Sequence, residues 1–455
     1  MNKKRVNRGS SLLFGAAVAA TTGLGASSAQ ALPLYDEGGS QLNFDFEAIV
    51  GAFHSDESYA LLRSSEGSVS WQEGYAKYGL SGSASLGSTG GELFGAASLL
   101  TSLTRGDGDA AGFTSGDEDE TDVEDLYVGW RSGNLIPGLG ENGFEVSVGR
   151  QNVTLGDGFL INGDALNLGE GFKDLGVSPD FDRGGAYWLA ARKAFDKTAV
   201  VRVGGAEGLR SDLFWLESDN LAQAQMELAG INLEYVGPAA TLALTYIEGL
   251  DVDADSAAIL GLEHRDGQET WSVRAQGSAG IENLFLSAQF VDQSQGDNSR
   301  RDANAYYLEA GWTFADLPWS PGITYRYSDF DEDFDPLFFG FNRGYGTWFQ
   351  GEVAANYAGP FNSDAQVHHL GLKLAPSETL TLGALFFQFD ETAGGSGALD
   401  GQEINFYAEW VAADHLIISP LVGFYSPDNS AAEGGTQIGN DDTNTYAQVI
   451  AIVPF

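Results

Sequence analysis

TNTYAQVIAIVPF, residues Thr443–Phe455, is the stretch whose reading decides the fold. Ala447, Val449, Ala451, Val453 and Phe455 form a row with period two, as a strand with one apolar face requires. Ile450 and Ile452 make the opposite row apolar too, and Pro454 removes a backbone donor where only a strand end tolerates the loss. A hydrophobic strand with an open edge invites aggregation. Closure into a barrel removes that edge, by pairing the last strand with the first. The alternative is a buried strand of a soluble sandwich. The closing partner is expected at Gln41–Phe53, where Leu42, Phe44, Phe46, Ala48, Val50 and Ala52 lie opposite Asn43, Asp45 and Glu47. The pairing is expected to be antiparallel, with Phe455 at the periplasmic rim.

The first 31 residues read as a secretory signal peptide. Lys3, Lys4, Arg5 and Arg8 are followed by a short apolar core, Leu12–Ala20, and a small-residue cleavage site at Ala29-Gln30-Ala31. Residues 32–455 are then a single exported domain. No later run approaches the ~18 apolar residues of a membrane helix. The whole chain has 23 Lys and Arg against 64 Asp and Glu. With the four leader bases removed, the remainder carries −45. That charge excludes nucleic acid as a partner and keeps exposed loops soluble. Without cysteine there is no disulfide or thiolate metal site. Sixty-one glycines and 12 % aromatic residues fit a barrel with aromatic girdles.

Further period-two stretches are expected at Ser68–Ser85, Glu92–Thr104, Val123–Arg131, Gly143–Gln151, Gly185–Phe195, Thr198–Glu207, Glu227–Val236 and Ala239–Gly249. Nine more run through Glu269–Ser278, Glu282–Gln293, Ala303–Phe314, Gly322–Asp331, Ala365–Ala375, Thr379–Asp390, Gln402–Trp410, Leu416–Tyr425 and Thr443–Val453. Short turns, such as Phe195-Asp196-Lys197 and Gly237-Pro238, alternate with long polar loops. This is how outer-membrane barrels place turns and loops at opposite ends. Ala257–Arg265 and Thr347–Tyr357 break the up–down order and are assigned to loops. Eighteen strands result, with sixteen and twenty as alternatives. The expected fold class is all-β, a transmembrane antiparallel barrel.

The rows opposite the apolar ones carry charges, which suit a wet lumen and would be ruinous in a packed core. The pore-lining candidates are Asp45, Glu47, Glu73, Lys77, Glu145, Arg202, Glu234, Arg274, Glu309, Arg326, Lys373 and Glu409, with Asp125 and Glu403 on the same rows. An acidic wall opposite a more basic one is one reading of this list. Pairing of the charges across the lumen is the other. Two insertions, Asn152–Gly184 and Asp331–Asp364, are long enough to fold inward and narrow the pore. Their candidate residues are Arg150, Asp157, Asp164, Arg343 and Glu352, with Arg150 tethering the first loop through its aspartates.

The segment FEVSVGRQNVTLGDGFLINGD (Phe144–Asp164), YGTWFQGEV (Tyr345–Val353) and VHHLGLKLAPSETLTLGALFF (Val367–Phe387) resemble the alginate-export family of outer-membrane porins. The resemblance implies an eighteen-stranded monomeric barrel and an exported anionic polyuronate. The best-known member has an Arg-rich, electropositive pore. This lumen has more acids than bases, which favours a general solute porin.

Other motifs carry nothing. Gly138–Gly143 matches GxGxxG but opens no helix. Asp251, Asp253 and Asp255 have calcium-loop spacing, yet Ser256 and Leu262 stand where Gly and Glu are required. These residues and Asp107–Asp125 read first as solvated acidic loops, with casual calcium binding as the alternative. His368 and His369 face opposite sides of one strand and cannot chelate together. No catalytic spacing, cofactor or metal site is legible. The expectation is a non-enzymatic outer-membrane channel for small hydrophilic solutes, favouring cations or zwitterions. Its partners are outer-membrane lipid and lipopolysaccharide, the solutes, and the outer-membrane assembly machinery acting on the C-terminal strand. Export of an alginate-type exopolysaccharide is the alternative, and a hydrolase or adhesin on the same barrel a third class.

Overall fold

The computed structural model describes residues 32–87, 90–175, 180–297, 300–340, 343–345 and 351–454. The leader, Trp348, Gln350 and Phe455 lie outside the described residues. The strands are β1 (Leu32–Glu37), β2 (Ser40–Ser55), β3 (Val69–Ser85), β4 (Glu92–Gly106), β5 (Asp117–Arg131), β6 (Phe144–Gln151) and β7 (Phe195–Val203). Then come β8 (Gly208–Glu217), β9 (Glu227–Val236), β10 (Ala240–Asp251), β11 (Glu269–Gly277), β12 (Leu284–Ser294) and β13 (Ala303–Thr313). The last are β14 (Gly322–Phe330), β15 (Ala365–Ser377), β16 (Leu380–Asp390), β17 (Gly401–Ala413), β18 (Leu416–Pro427) and β19 (Asn444–Pro454). Each strand from β2 to β19 pairs antiparallel with the next, and β19 returns to β2. The result is a closed barrel of eighteen strands.

The closing seam has the expected partners, with a register from Tyr446 opposite Ser55 to Pro454 opposite Glu47. Below that point β1 takes over the same edge of β2, with Leu32 opposite Phe44 and Glu37 opposite Ser40. Thus β1 continues the line of β19 along one strand edge. No sequence feature had marked it.

Alternation sets the two faces. On β2, Ile49 is 1 % exposed while its neighbour Val50 is 56 % exposed. Leu126, Leu209, Val273, Leu308, Phe406 and Val449 belong to the same outward apolar surface. Water-soluble monomers rarely expose a continuous patch beyond a few hundred Å². Aromatic residues border the belt at both ends. Trp215, Tyr246 and Trp271 stand near the long loops, and Tyr235, Trp312, Trp319 and Trp410 near the short turns. No helix among the described residues is long and apolar enough to cross a membrane. The spanning elements are the strands.

The count of eighteen was reached by two compensating errors. Gly185–Phe195 is not a strand: Ala186 and Ala190 have positive φ (54° and 46°), and the segment turns inside the lumen. It is apolar because it is buried on all sides, not because it alternates. Gly208–Glu217 is a strand that the sequence reading missed, since Phe214, Trp215 and Leu216 run together and hide the period. The Phe195-Asp196-Lys197 turn is instead the start of β7. Ala257–Arg265 does lie in a connection and overlaps helix α1 (Ala254–Leu260). Of Thr347–Tyr357, residues 347–350 lie outside the described residues, and the rest overlaps a π-helical turn at Ala354–Ala358.

The seam makes a direct test available. Val449 and Ala52 are opposite each other on the outer face, at a Cα separation of about 4.5–5.5 Å for facing residues, which a disulfide spans. The chain has no other cysteine to interfere. Ala52→Cys with Val449→Cys is expected to cross-link on mild oxidation and to give a heat-resistant compact band in gels. Free thiols in the folded double variant would contradict the closure.

Candidate functional site: the lumen and its two infolded loops

The lumen of an eighteen-strand barrel is too wide to be filled by wall side chains. Loop 152–194 and loop 331–364 enter it. They meet as a short parallel pair, with Ile161 bridged to Phe338. Asn162 N–H donates to the Phe338 carbonyl at 2.8 Å, and Phe338 N–H to that of Leu160 at 3.0 Å. Gly340 N–H donates to the Gly158 carbonyl at 2.8 Å. Gly158 must be glycine, because it has φ +91° and a Cβ there would sit 1.8 Å from the Gly340 oxygen.

Buried backbone amides need acceptors, and the wall supplies carboxylates. Glu73 of β3 is 1 % exposed and accepts from Leu189 N–H (3.0 Å) and from Trp71 Nε1 (3.0 Å). Glu124 of β5 accepts from Lys193 and Ala194 N–H (2.8 and 3.0 Å). Glu118 takes the amide of Glu170 at 3.0 Å. Glu403 of β17 is fully buried and takes the amides of Val353 (3.2 Å) and Ala354 (2.8 Å) in the second loop. Around these anchors Phe53, Trp71, Tyr187, Trp188, Tyr357 and Tyr446 pack into one core, with Phe53 stacked on Trp71 at 5.2 Å. Glu73 therefore holds a loop and does not face open water.

Lower in the lumen, register places opposite charges face to face. Glu145 is opposite Arg202, Arg202 opposite Asp212, Arg210 opposite Glu234, and Glu309 opposite Arg326. Lys77 reaches Asp125 at 2.6 Å, and Arg202 reaches Glu145 at 2.8 Å. Glu234 and Arg274 flank Ala243 of β10, and Arg274 extends past that small side chain to Glu234 at 2.6 Å. Asp45 and Glu47 lie on the inward row of β2, where Glu47 accepts from the Tyr75 hydroxyl at 2.6 Å. Lys373 and Glu409 face each other's field on β15 and β17. The two-wall arrangement is thus not what the chain builds. Cations on β7, β8, β11 and β14 sit beside their own carboxylates.

The loop candidates divide. Arg343 bonds Glu309 through both Nη atoms (3.0 and 2.5 Å) and lies 3.5 Å from Asp157, whose carboxylate also accepts from Tyr307 (2.8 Å). Here both loops and the wall converge. Asp164 is fully buried and is held by Arg183 (3.2 Å), Ser218 (2.7 Å) and Asn220 (3.1 Å). Burial raises its pKa against the opposing charge of Arg183. Glu352 is buried beside Glu403's loop partners. Arg150 does not tether the aspartates of its own following loop. It binds Asp196 (2.9 Å) and Asp219 (2.6 Å), and Asp219 passes the link to Arg183 at 3.1 Å.

The sequence reading missed Arg210 and Asp212 with their strand, and it missed the lock between connections 252–268 and 331–364. There Arg265 grips Asp335 with two bonds (2.7 and 2.8 Å), and His264 Nε2 lies 3.0 Å away, all buried. Burial pushes the Asp335 carboxyl up, but Arg265 and His264 hold it well below the usual range. The two acidic stretches have local roles in the fold. Asp253 caps α1 through Ser256 N–H at 2.8 Å, and Asp117–Asp125 belongs to β5. Among the described residues no group of three or more His, Cys, Asp or Glu is placed to hold a metal. His369 is inward with its ring tilted against Phe387 (centroids 4.5 Å apart), whereas His368 meets Tyr325 outside (2.7 Å).

Solved structures share this architecture. The chain aligns with Pseudomonas aeruginosa OccK5 (OpdH) at a TM-score of 0.56 and 12 % identity, over 90 % of this chain and 98 % of that one. Acinetobacter baumannii OccAB3 gives 0.55 at 9 % identity, with 90 % and 99 % covered. Pseudomonas aeruginosa OccK11 (OpdR) gives 0.52 at 14 %, with 90 % and 96 % covered. No family model and no curated protein matches the sequence. At such identities the likeness is one of fold, and the fold is that of outer-membrane porins. These neighbours do not support the alginate-export family in particular.

Asp335→Asn is expected to leave Arg265 buried without its counter-ion, at a cost of about 3–5 kcal/mol. Protease sensitivity of residues 252–268 and 331–364 should rise, and the temperature of heat modification should fall. The pH dependence has a definite sign. A depressed carboxylate contributes stability above the unfolded value, lost only as pH falls through the folded one. The wild-type lock should therefore persist through pH 4. Release of these loops at pH 5 would contradict it.

Proposed function

We propose that the protein is a passive diffusion channel of an outer membrane, taking small hydrophilic solutes through a lumen narrowed by loops 152–194 and 331–364. One observation carries the reading. The barrel is apolar and aromatic-bordered outside, while its inner rows hold charged side chains that keep contact with water, such as Arg202 (48 % exposed) and Lys77 (35 %). A packed core would not tolerate such groups. Residues 1–31 serve as the export leader. The belt meets lipid and lipopolysaccharide, and β19 is the segment read by the barrel-assembly machinery.

Selectivity follows from charge. The loop-side rim exposes carboxylates such as Asp117 (95 %) and Asp119 (63 %), and the chain as a whole carries −41. A mouth of one sign concentrates counter-ions. Cations and zwitterions are favoured at entry over anions. Export of an anionic polyuronate fits less well, because the lumen arginines described above are already held by carboxylates. Kinship to the alginate-export family rests on Phe144–Asp164, Tyr345–Val353 and Val367–Phe387 alone.

Purified protein in planar bilayers should give discrete channels. Under a salt gradient the reversal potential should indicate cation preference, weakening as ionic strength rises. Arg343→Ala should raise single-channel conductance by removing the bridge between Glu309 and Asp157. A protein that never inserts, or a strongly anion-selective one, would overturn the reading.

A further inference from the structure

Between loop 152–194 and the wall strands β8–β11 lies a polar cavity of about 240 Å³. Arg210, Asp212, Asn232, Glu234, Arg274 and Gln276 line its wall side, and the loop at Thr154–Gly156 covers it. Gly156 brings the loop close: its φ is +60°, and a Cβ there would lie 2.6 Å from Arg274 Nε. We propose that this cavity binds a neutral polyhydroxylated solute, a monosaccharide or sugar alcohol, through adjacent hydroxyl groups. The proposal rests on the channel reading for access of solute to the lumen.

Charge balance carries the argument. Arg202, Arg210 and Arg274 are set against Glu145, Asp212 and Glu234, three cations against three anions. Arg202 contacts Glu145 at 2.8 Å and Asp212 at 3.5 Å, Arg274 contacts Glu234 at 2.6 Å, and Arg210 pairs with the same Glu234. A carboxylate ligand must compete with Glu234 for its guanidiniums, and an ammonium must compete with Arg210 and Arg274 for Glu234. Either leaves a displaced charge in a partly dry site, which is costly. A hydroxyl both donates and accepts. Neighbouring hydroxyls can donate to unused carboxylate lone pairs and accept from unused guanidinium N–H groups with every ion pair intact.

Arg274 leaves capacity for this: its Nη2 donates to Glu234 at 2.6 Å, while its Nη1 meets Gln276 Oε1 only at 3.4 Å. The Asn232 and Gln276 carboxamides add both kinds of group. Size narrows the class further. Pockets for drug-sized ligands run from about 300 Å³ upward, so this cavity suits one sugar unit and not a chain. Leu155 is the single hydrocarbon side chain among the lining residues, which leaves an aromatic solute nothing to pack on.

The test uses the purified full-length chain in detergent for calorimetric titration, and the same preparation in planar bilayers. D-glucose and D-mannitol are the probes, with glycine, L-arginine and acetate as comparisons. The sugars should bind with an affinity on the order of millimolar and reduce the ionic current in a saturable way. The charged compounds should bind at least tenfold more weakly. Glu234→Gln should weaken the sugars at least tenfold and, by leaving Arg210 and Arg274 without their carboxylate, turn the preference to acetate. Gln276→Leu, which breaks no ion pair, should weaken the sugars as well, and it keeps the test valid where Glu234→Gln fails to show heat-modifiable folding. Acetate or glycine binding the wild type as tightly as glucose would overturn the proposal, as would sugar affinity unmoved by a folded variant. A conducting channel without sugar binding refutes the cavity alone. Sugar binding without conductance refutes the channel reading and leaves the cavity.

Discussion

The structure depends on one kind of bond: a carboxylate on the barrel wall accepting backbone N–H groups from a loop inside the lumen. Glu73, Glu118, Glu124 and Glu403 each do this. The constraint behind it is geometric. Eighteen strands enclose more space than their inward side chains fill, so chain must enter, and chain that leaves water brings donors that need partners. A charged acceptor makes the stronger bond. The carboxylate gains as well, since burying it without donors would be prohibitive. Wall and loop each make the other's burial tolerable.

That bond divides the lumen into two regimes. Near the loops, the inward row of β2 and β3 is aromatic, and Phe53 and Trp71 become the floor of a core completed by Trp188 and Tyr357. Nearer the short turns the inward rows hold ion pairs. Facing residues on adjacent strands stand about 5 Å apart, so the register alone brings Glu145 to Arg202 and Arg210 to Glu234. From β6 to β14 the inward charges named above are consequently paired, whereas β2 and β17 carry carboxylates with no cation of their own.

Much of the architecture was legible. The outward rows and the closing seam of Gln41–Phe53 with Thr443–Val453 follow from period two. Where the reading failed, the cause was burial. Gly185–Phe195 looked like a strand because a loop packed into a lumen has the composition of one. Gly208–Glu217 did not, because Phe214 and Leu216 face the loop core and interrupt a polar row. Arg150 was recognised as a tether, but its partner Asp219 lies in the next connection but one, beyond any spacing rule. His264, Arg265 and Asp335 gave no signal, since a triad separated by 70 residues has no local pattern.

By itself, then, the sequence determined most of the strands and which of their faces meets lipid, because side-chain alternation is a property of the local backbone and needs no partner. It also determined that the chain spans by strands and carries a strongly acidic surface. Only the tertiary structure decided which inward charges stay wet, which clasp a loop and which neutralise one another. Those outcomes depend on the register between strands and on the path of two long loops through the lumen. Both are set by contacts between residues far apart in the chain, where no periodicity reaches.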